Sequence, residues 1–379
     1  MLTYVALKVI WWGLVGVLLT GFAIMDGHDM GVGTLLPFVG RGDVERRVVI
    51  NTVAPHWDGN QVWFITGGGA IFAAWPYVYA TAFSGFYWAM LAVLWSLFFR
   101  PVGFDYRSKI DNPAWRSTWD IGLFIGGCVP PVIFGVAFGN LLQGVPFHFD
   151  DTLMSHYTGT FWALLNPFAL LCGLVSSAMV TFHGAVYLMH RTEGAIFARA
   201  RVAATVFGPA ALILFALGGI WLALGIDGYA IAQPFDPGEL PNPLAKTVTR
   251  VAGAWFANYR AWPVAMLVPT LAFAAGIGAI LLARSGRTLA AFAGSSLMMA
   301  GIIGTAGVSM FPFVMPSSSD PKSSLTVWDG TSSHLTLAIM FWVVVIFMPI
   351  IIFYTRWAYG VMAGKVTADY IERNRHSVY

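Results

Sequence analysis

Apolar residues run along this chain in long blocks, separated by short polar segments and without the strict alternation of amphipathic strands. A helix needs about 20 mostly apolar residues to cross the hydrocarbon of a bilayer. On that measure the chain offers spans at 5–25, 49–73, 76–99, 119–142, 161–189, 203–226, 262–283, 288–312 and 335–357. The second contains His56, Asp58, Asn60 and Gln61, and hydropathy alone would drop it and return eight. It is kept because residues 62–74 are apolar and 48–53 lead into it helically. An open sheet could not satisfy its backbone in lipid, and the blocks are too uniform for barrel strands. The pattern predicts an all-α polytopic membrane protein with nine transmembrane helices, residues 1–379 forming one integral-membrane domain.

Basic residues set the orientation. Arg41, Arg46 and Arg47 follow the first span, and Arg100, Arg107, Lys109 and Arg116 follow the third. Later clusters are Arg191, Arg199 and Arg201, then Arg284 and Arg287, then Arg356, Lys365, Arg373 and Arg375. Nine spans put all of them on one side. Loops 143–160 and 313–334 hold only Lys322, and the longer 227–261 loop holds Lys246, Arg250 and Arg260. The N-terminus is therefore expected outside and the C-terminus inside. Eight spans would place Arg41 to Arg47 beside the bare loop 143–160. The start, M-L-T-Y, has no basic leader and no small-residue cleavage site, so the first span reads as a retained helix.

Composition narrows the class. Hydrophobic residues make up 58%, aromatic 15% and charged 10%, against about 25% charged in a soluble domain. Two cysteines exclude a disulfide scaffold and any Cys-rich metal site. A net charge of +3 is too small and too scattered for nucleic acid. No Walker loop, H-E-x-x-H or G-x-S-x-G occurs.

Polar residues at membrane depth are the informative ones, because a carboxylate in lipid normally marks a pathway or a partner. Asp26 and Asp29 close span one in M-D-G-H-D-M-G, three apart and so on one helical face. They form either a solvated helix end, with Gly27 and Gly31 starting the turn, or a proton uptake point holding a proton between two carboxylates. His28 between them points to another side. Asp58 lies inside span two, sharing a face with Gln61, while His56 and Asn60 share another. This band either knots helices together or faces a proton route or cofactor. Arg100 is a headgroup anchor or meets an acidic group or a cofactor propionate on a neighbour, and Asp105 lies beyond the helix-breaking Pro101. Only His56 of the histidines is deep: His28, His183 and His190 end spans, and His148, His156, His334 and His376 fall in loops or the tail. No pair is placed to clamp a haem, and no metal-ligand set is assigned. The small residues at 66–70 and 301–307 allow close helix approach, or leave room for a small neutral molecule.

Two function classes survive this chemistry: a proton-coupled transporter using the intramembrane carboxylates, and a membrane subunit of an energy-converting oxidoreductase. Transporters often carry inverted repeats, and none is visible here. The stretch G-R-G-D-V-E-R-R-V-V-I-N-T-V-A-P-H-W-D-G-N-Q-V-W, then A-A-W-P-Y-V-Y-A-T-A-F-S-G-F-Y and L-F-F-R-P-V-G-F-D-Y-R-S-K-I, resembles subunit II of cytochrome bd ubiquinol oxidase. So do D-G-H-D-M-G-V-G, G-N-L-L-Q-G-V-P-F, F-P-F-V-M-P-S-S and S-L-T-V-W-D-G-T-S-S, and together they cover essentially the whole chain. His28 departs from the pattern, standing where the family carries an aromatic residue.

The resemblance implies a bacterial inner-membrane complex that oxidises ubiquinol and reduces oxygen to water, building proton motive force without a pump. It implies a heterodimer with subunit I, which carries the haem b and haem d groups, and small single-helix accessory subunits. Subunit II in that family has two four-helix bundles plus one helix, a structurally bound ubiquinone and, in some members, an oxygen tunnel starting at the tryptophan matching Trp63. Carried over, Asp29 and Asp58 become proton-path carboxylates, with Asp26 and Asp105 as companions. Arg100 becomes a residue reaching toward the haem region of the partner.

Overall fold

A computed structural model describes residues 2–233, 235–374 and 378–379. Arg375 and His376 lie outside the described residues. The long helices are α1 (Tyr4–Val39), α3 (Trp57–Ala74), α5 (Tyr87–Tyr106), α6 (Pro113–Gln143), α7 (Pro167–Arg191), α8 (Gly194–Gly225), α10 (Leu267–Arg284), α11 (Thr288–Met310) and α12 (His334–Val361). Shorter helices are α2 (Asp43–Asn51), α4 (Pro76–Gly85), α9 (Ala257–Ala261) and α13 (Ala368–Arg373). Among the described residues, eight helices are long and apolar enough to cross a membrane, and α3 is not one of them. Three small antiparallel hairpins close the polar connections: β1 (Phe147–Phe149) with β2 (Ser155–Tyr157), β3 (Asp227–Ile231) with β4 (Val248–Ala252), and β5 (Phe313–Met315) with β6 (Leu325–Thr326).

Helix α1 is the hub, packing on α3, α6, α7, α11 and α12. Helices α7, α8, α10 and α11 are neighbours in a closed ring, and α5 packs on α6. Glycines decide how closely α1 approaches its partners. A Cβ on Gly31 would run into the Val180 carbonyl of α7, and one on Gly33 would lie 3.0 Å from the Leu123 carbonyl of α6. This packing corrects the expectation that α1 ends near residue 25. The M-D-G-H-D-M-G stretch stays helical because Gly31 lies flush against the backbone of α7 and Gly27 against the Met299 and Val180 side chains, and the helix continues to Val39. Asp26 and Asp29 are thus inside the helix, not at its end.

Three further expectations are corrected. Residues 49–73 are not one helix: α2 stops at Asn51, a turn runs through residues 52–56, and α3 starts at Trp57. Pro55 has no N–H to continue the ladder and pushes Ala54 away from helical angles. The 76–99 span is two helices that break at Phe86. Conversely, α5 runs through Pro101 to Tyr106, so Asp105 is still helical. The loss of one backbone bond there is offset by packing, since Gly103 lies against Leu123 and Arg100 is held from α1.

The two ends of the bundle are each tied. At one end the Ser332 N–H donates to the Ala74 carbonyl at 2.9 Å and the Tyr4 hydroxyl donates to the Ser332 carbonyl at 2.7 Å. The end of α3 therefore meets the starts of α1 and α12. At the other end Arg46 meets Asp120 at 2.8 Å, Arg116 meets Asp43 at 2.9 Å and Arg199 meets Glu45 at 2.6 Å. The Val366 N–H donates to the Arg191 carbonyl at 2.8 Å, bringing the C-terminal segment to the same end.

Gly31→Ala should destabilise the assembled protein by about 1–3 kcal/mol, as overpacking does. Gly278→Ala, with nothing within 4 Å of its added methyl, should leave the thermal midpoint unchanged. Equal midpoints for both variants would remove the backbone contact of α1 with α7 as a determinant of the fold.

Candidate functional site

Helix α5 brings Arg100 against the middle of α1, where the guanidinium grips Asp26 with two bonds of 2.9 and 2.5 Å. The same group reaches within 3.7 Å of Asp29. All three side chains are buried, so the acidic group that Arg100 meets belongs to its own chain. Trp57 covers the guanidinium at 5.6 Å from its ring centroid. A buried bidentate pair of this kind is costly to break on one side, because the remaining charge is left in low dielectric.

Asp29 sits between that pair and a second network. Asn60 of α3 donates to Asp29 Oδ2 at 2.8 Å and lies 3.1 Å from His56 Nδ1. The Tyr359 hydroxyl of α12 donates to Asn60 Oδ1 at 2.8 Å and stacks on His56 with centroids 4.7 Å apart. His56 Nε2 lies 2.9 Å from the Tyr187 hydroxyl of α7. His28 turns toward Asp29, with Nε2 at 3.2 Å from Oδ1. This corrects the expectation that it points elsewhere. Neighbouring helical positions diverge by about 100°, but the imidazole reaches sideways while Nδ1 stays on the Ile24 carbonyl at 3.0 Å.

His183 is also deep. It is fully buried in α7, 6.0 Å from His28 between centroids, and bound to Ser295 at 2.8 Å. The expectation that His56 alone lies deep is therefore corrected. His183 was placed at a helix end, yet α7 runs on to Arg191. His148 and His156 stack on each other in the β1–β2 hairpin, and His334 binds the Leu2 carbonyl at the start of α12.

The remaining candidates lie elsewhere. Asp58 and Asp105 are exposed on the outside of this chain, so Asp58 does not join the buried network. Both act on Tyr379 in the tail, whose phenol is pushed up first by burial and then by the charges of Asp105 and Asp58. Trp63 is half-buried and covers Gly21 of α1, where an added Cβ would meet its ring at 2.6 Å. Gly68 and Gly69 have nothing within 4 Å of an added methyl. One small cavity, of about 10 Å³ and room for one water, is lined by Asp29, Arg100, Leu36, Val49 and Val53.

Sequence reasoning missed several members. Tyr187 and Tyr359 carried no signal beyond their type, because their roles depend on α7 and α12 arriving at α3. Asp120 did carry one, as a carboxylate inside a predicted span. It is buried with Arg107 at 2.5 Å and Arg46 at 2.8 Å.

With this geometry in place, the comparisons are decisive. The family described as cytochrome bd terminal oxidase subunit II matches residues 7–362. The chain belongs to that family. It is 56% identical over 379 residues to cytochrome bd-I ubiquinol oxidase subunit 2 of Escherichia coli K12, covering 100% of both. It is 31% identical over 359 residues to cytochrome bd ubiquinol oxidase subunit 2 of Bacillus subtilis, covering 94% of this chain and 96% of that one. The bd oxidase structure from Geobacillus thermodenitrificans shares the fold, with a TM-score of 0.67 at 14% identity over 98% of this chain and 99% of that one. As a cytochrome bd subunit II, the chain is a multi-span component of a terminal oxidase of the bacterial cytoplasmic (inner) membrane.

The deep histidines do not fit a haem. The rings of His28 and His56 contact Tyr187 and Tyr359 directly, and both nitrogens of His183 are bound to Ser295 and the Ile24 carbonyl. No slot for a macrocycle opens among them.

Arg100→Leu should cost about 3–5 kcal/mol, since it strands Asp26 in the interior. Adding Asp26→Asn should recover part of that loss in thermal unfolding of the assembled subunit. No recovery in the double variant would show that the pair is not what Arg100 stabilises.

Proposed function

We propose that this chain is the subunit II of a complex that oxidises ubiquinol and reduces oxygen to water, and that it supplies part of the cytoplasmic proton route. In this reading subunit I carries the haem b and haem d groups, and proton motive force arises without a pump. The carrying observation is the buried polar network of Asp29 with Asn60, His56 and Tyr359, with Asp58 on the exposed face of the helix α3 that supplies Asn60. An exposed carboxylate at membrane depth needs a protein partner rather than lipid, which supports packing of the α3 face on subunit I. Asp105 and Tyr379 form the cytoplasmic mouth of the route, next to Asp58. Asp26 and Arg100 hold Asp29, so Arg100 acts on the haem region through the carboxylates rather than by direct contact.

We count α3 as a ninth crossing, because it joins the end tied by Arg46, Arg116 and Arg199 to the end tied by Ser332. Basic loops face the cytoplasm, which puts the N-terminus outside and the C-terminus inside. The helices then group as two bundles of four, with α12 as the additional helix. We extend the reading to a structurally bound ubiquinone and to small single-helix accessory subunits, for which the apolar outer faces of α8 and α12 are available. The open side of Gly68 and Gly69 below Trp63 supports an oxygen tunnel in this subunit.

Asp58→Asn should slow quinol oxidase turnover several-fold while leaving the haem spectrum of the complex intact; an unchanged rate would take Asp58 off the route. Gly68→Leu should raise the apparent KM for oxygen in a fully assembled complex. Oxygen dependence identical to wild type would remove the tunnel from this position.

A further inference from the structure

At the centre of the buried network two acceptor atoms face each other with no donor between them. His28 Nδ1 lies 3.0 Å from the Ile24 carbonyl. A carbonyl oxygen only accepts, so Nδ1 carries the proton and Nε2 presents a lone pair. That lone pair meets Asp29 Oδ1 at 3.2 Å, and neither atom has a hydrogen-bond partner although both are buried. His56 approaches the same oxygen from the start of α3, with its facing nitrogen already bonded. Its Nε2 lies 3.1 Å from the Thr52 carbonyl, and its Nδ1 accepts from Asn60 and stands 3.8 Å from the same Asp29 oxygen. Two unpaired lone pairs therefore converge with a third donor atom, His56 Nδ1, which Asn60 now occupies and would have to release; all three atoms lie within 4.8 Å of one another.

Unpaired acceptors in the interior call for a cation. Asp26 and Asp29 share one guanidinium, which is engaged mainly by Asp26, so a cation at Asp29 would not compete with a full ion pair there. Bond lengths of about 2.0–2.2 Å to nitrogen and oxygen imply edges near 3.3 Å in a tetrahedral zinc site. The separations of 3.2 and 3.8 Å need only a small adjustment to meet them. Each imidazole already gives its other N–H to a backbone carbonyl, which is how metal-ligating histidines are oriented. Asn60 steadies the second Asp29 oxygen at 2.8 Å.

We propose that His28, Asp29 and His56 form a buried binding site for a divalent first-row transition cation, for which Zn²⁺ is the probe. Two imidazoles and a carboxylate are a donor set such cations favour. Because Asp29 would be both ligand and proton carrier, occupancy would also block the proton route, a consequence that rests on the function proposed above.

The test uses the intact complex, stripped with chelator, titrated with Zn²⁺ and analysed for bound metal after desalting. Wild type should retain one zinc per complex, and His28→Phe, which keeps a ring of similar size, should bind it at least tenfold more weakly. The zinc K-edge absorption spectrum of the wild-type complex should show a shell of nitrogen and oxygen at about 2.0–2.1 Å. A wild-type complex that retains no zinc, unchanged binding in His28→Phe, or a shell without imidazole nitrogen would overturn the site. The gap between His28 and Asp29 would then hold a proton instead. The K-edge measurement decides the matter even where the variant fails to assemble. Slower turnover of wild type with rising zinc occupancy supports both readings. Zinc bound at these ligands without slowing keeps the site and removes Asp29 from the proton route.

Discussion

The structure depends on one buried arrangement of charge: two carboxylates of α1 and one guanidinium of α5, shut away from water. A lone carboxylate at that depth would be prohibitive, and a lone arginine equally so. Together they are tolerable, and they bind α1 to α5 at a fixed height. The polar network around Asp29 is arranged from that anchor. Asn60, His56 and Tyr359 reach Asp29 because Arg100 and Asp26 hold it in one position.

Close helix packing makes this arrangement possible. The glycines of α1 let α6 and α7 approach at backbone contact, which carries His183 and Tyr187 to within ring contact of His28. Larger residues at Gly31 or Gly33 would hold these helices apart and open the polar centre to lipid or void. The glycines that a sequence reader takes for a turn signal are thus the condition for a buried network. Specific polar bonds give that network its geometry, since apolar packing alone would permit sliding along the helix axes.

Hydropathy located most of the helices, and their ends came within a turn or two for α6, α10, α11 and α12. It misjudged the polar borders. Residue 25 looked like the end of α1 because carboxylates and glycines normally stop a span; here neighbouring helices supply the partners that lipid cannot. Pro55 could be read as a break, and the apolar residues on either side outweighed it. Pro101 was given too much weight, because packing on α6 carries α5 past it. Of the site, Asp26, Asp29 and Arg100 were each legible as charges in the wrong solvent, but their pairing was not, since it joins residues 74 apart. Tyr187, Tyr359 and His183 were invisible for the same reason: nothing local marks a residue whose partner is set by helix packing. Family resemblance supplied the oxidase, and the geometry supplied the reason Asp29 and Asp58 differ, one locked inside this chain and one facing outward.

The central claim is that protons consumed in oxygen reduction pass through Asp29. Its most direct test is the time-resolved uptake of protons from bulk solution, followed with a pH dye during a single turnover of the reduced complex. Asp29→Asn should slow the uptake phase at least tenfold relative to wild type, in a complex whose haem content is normal. Proton uptake at the wild-type rate in that variant would contradict the account.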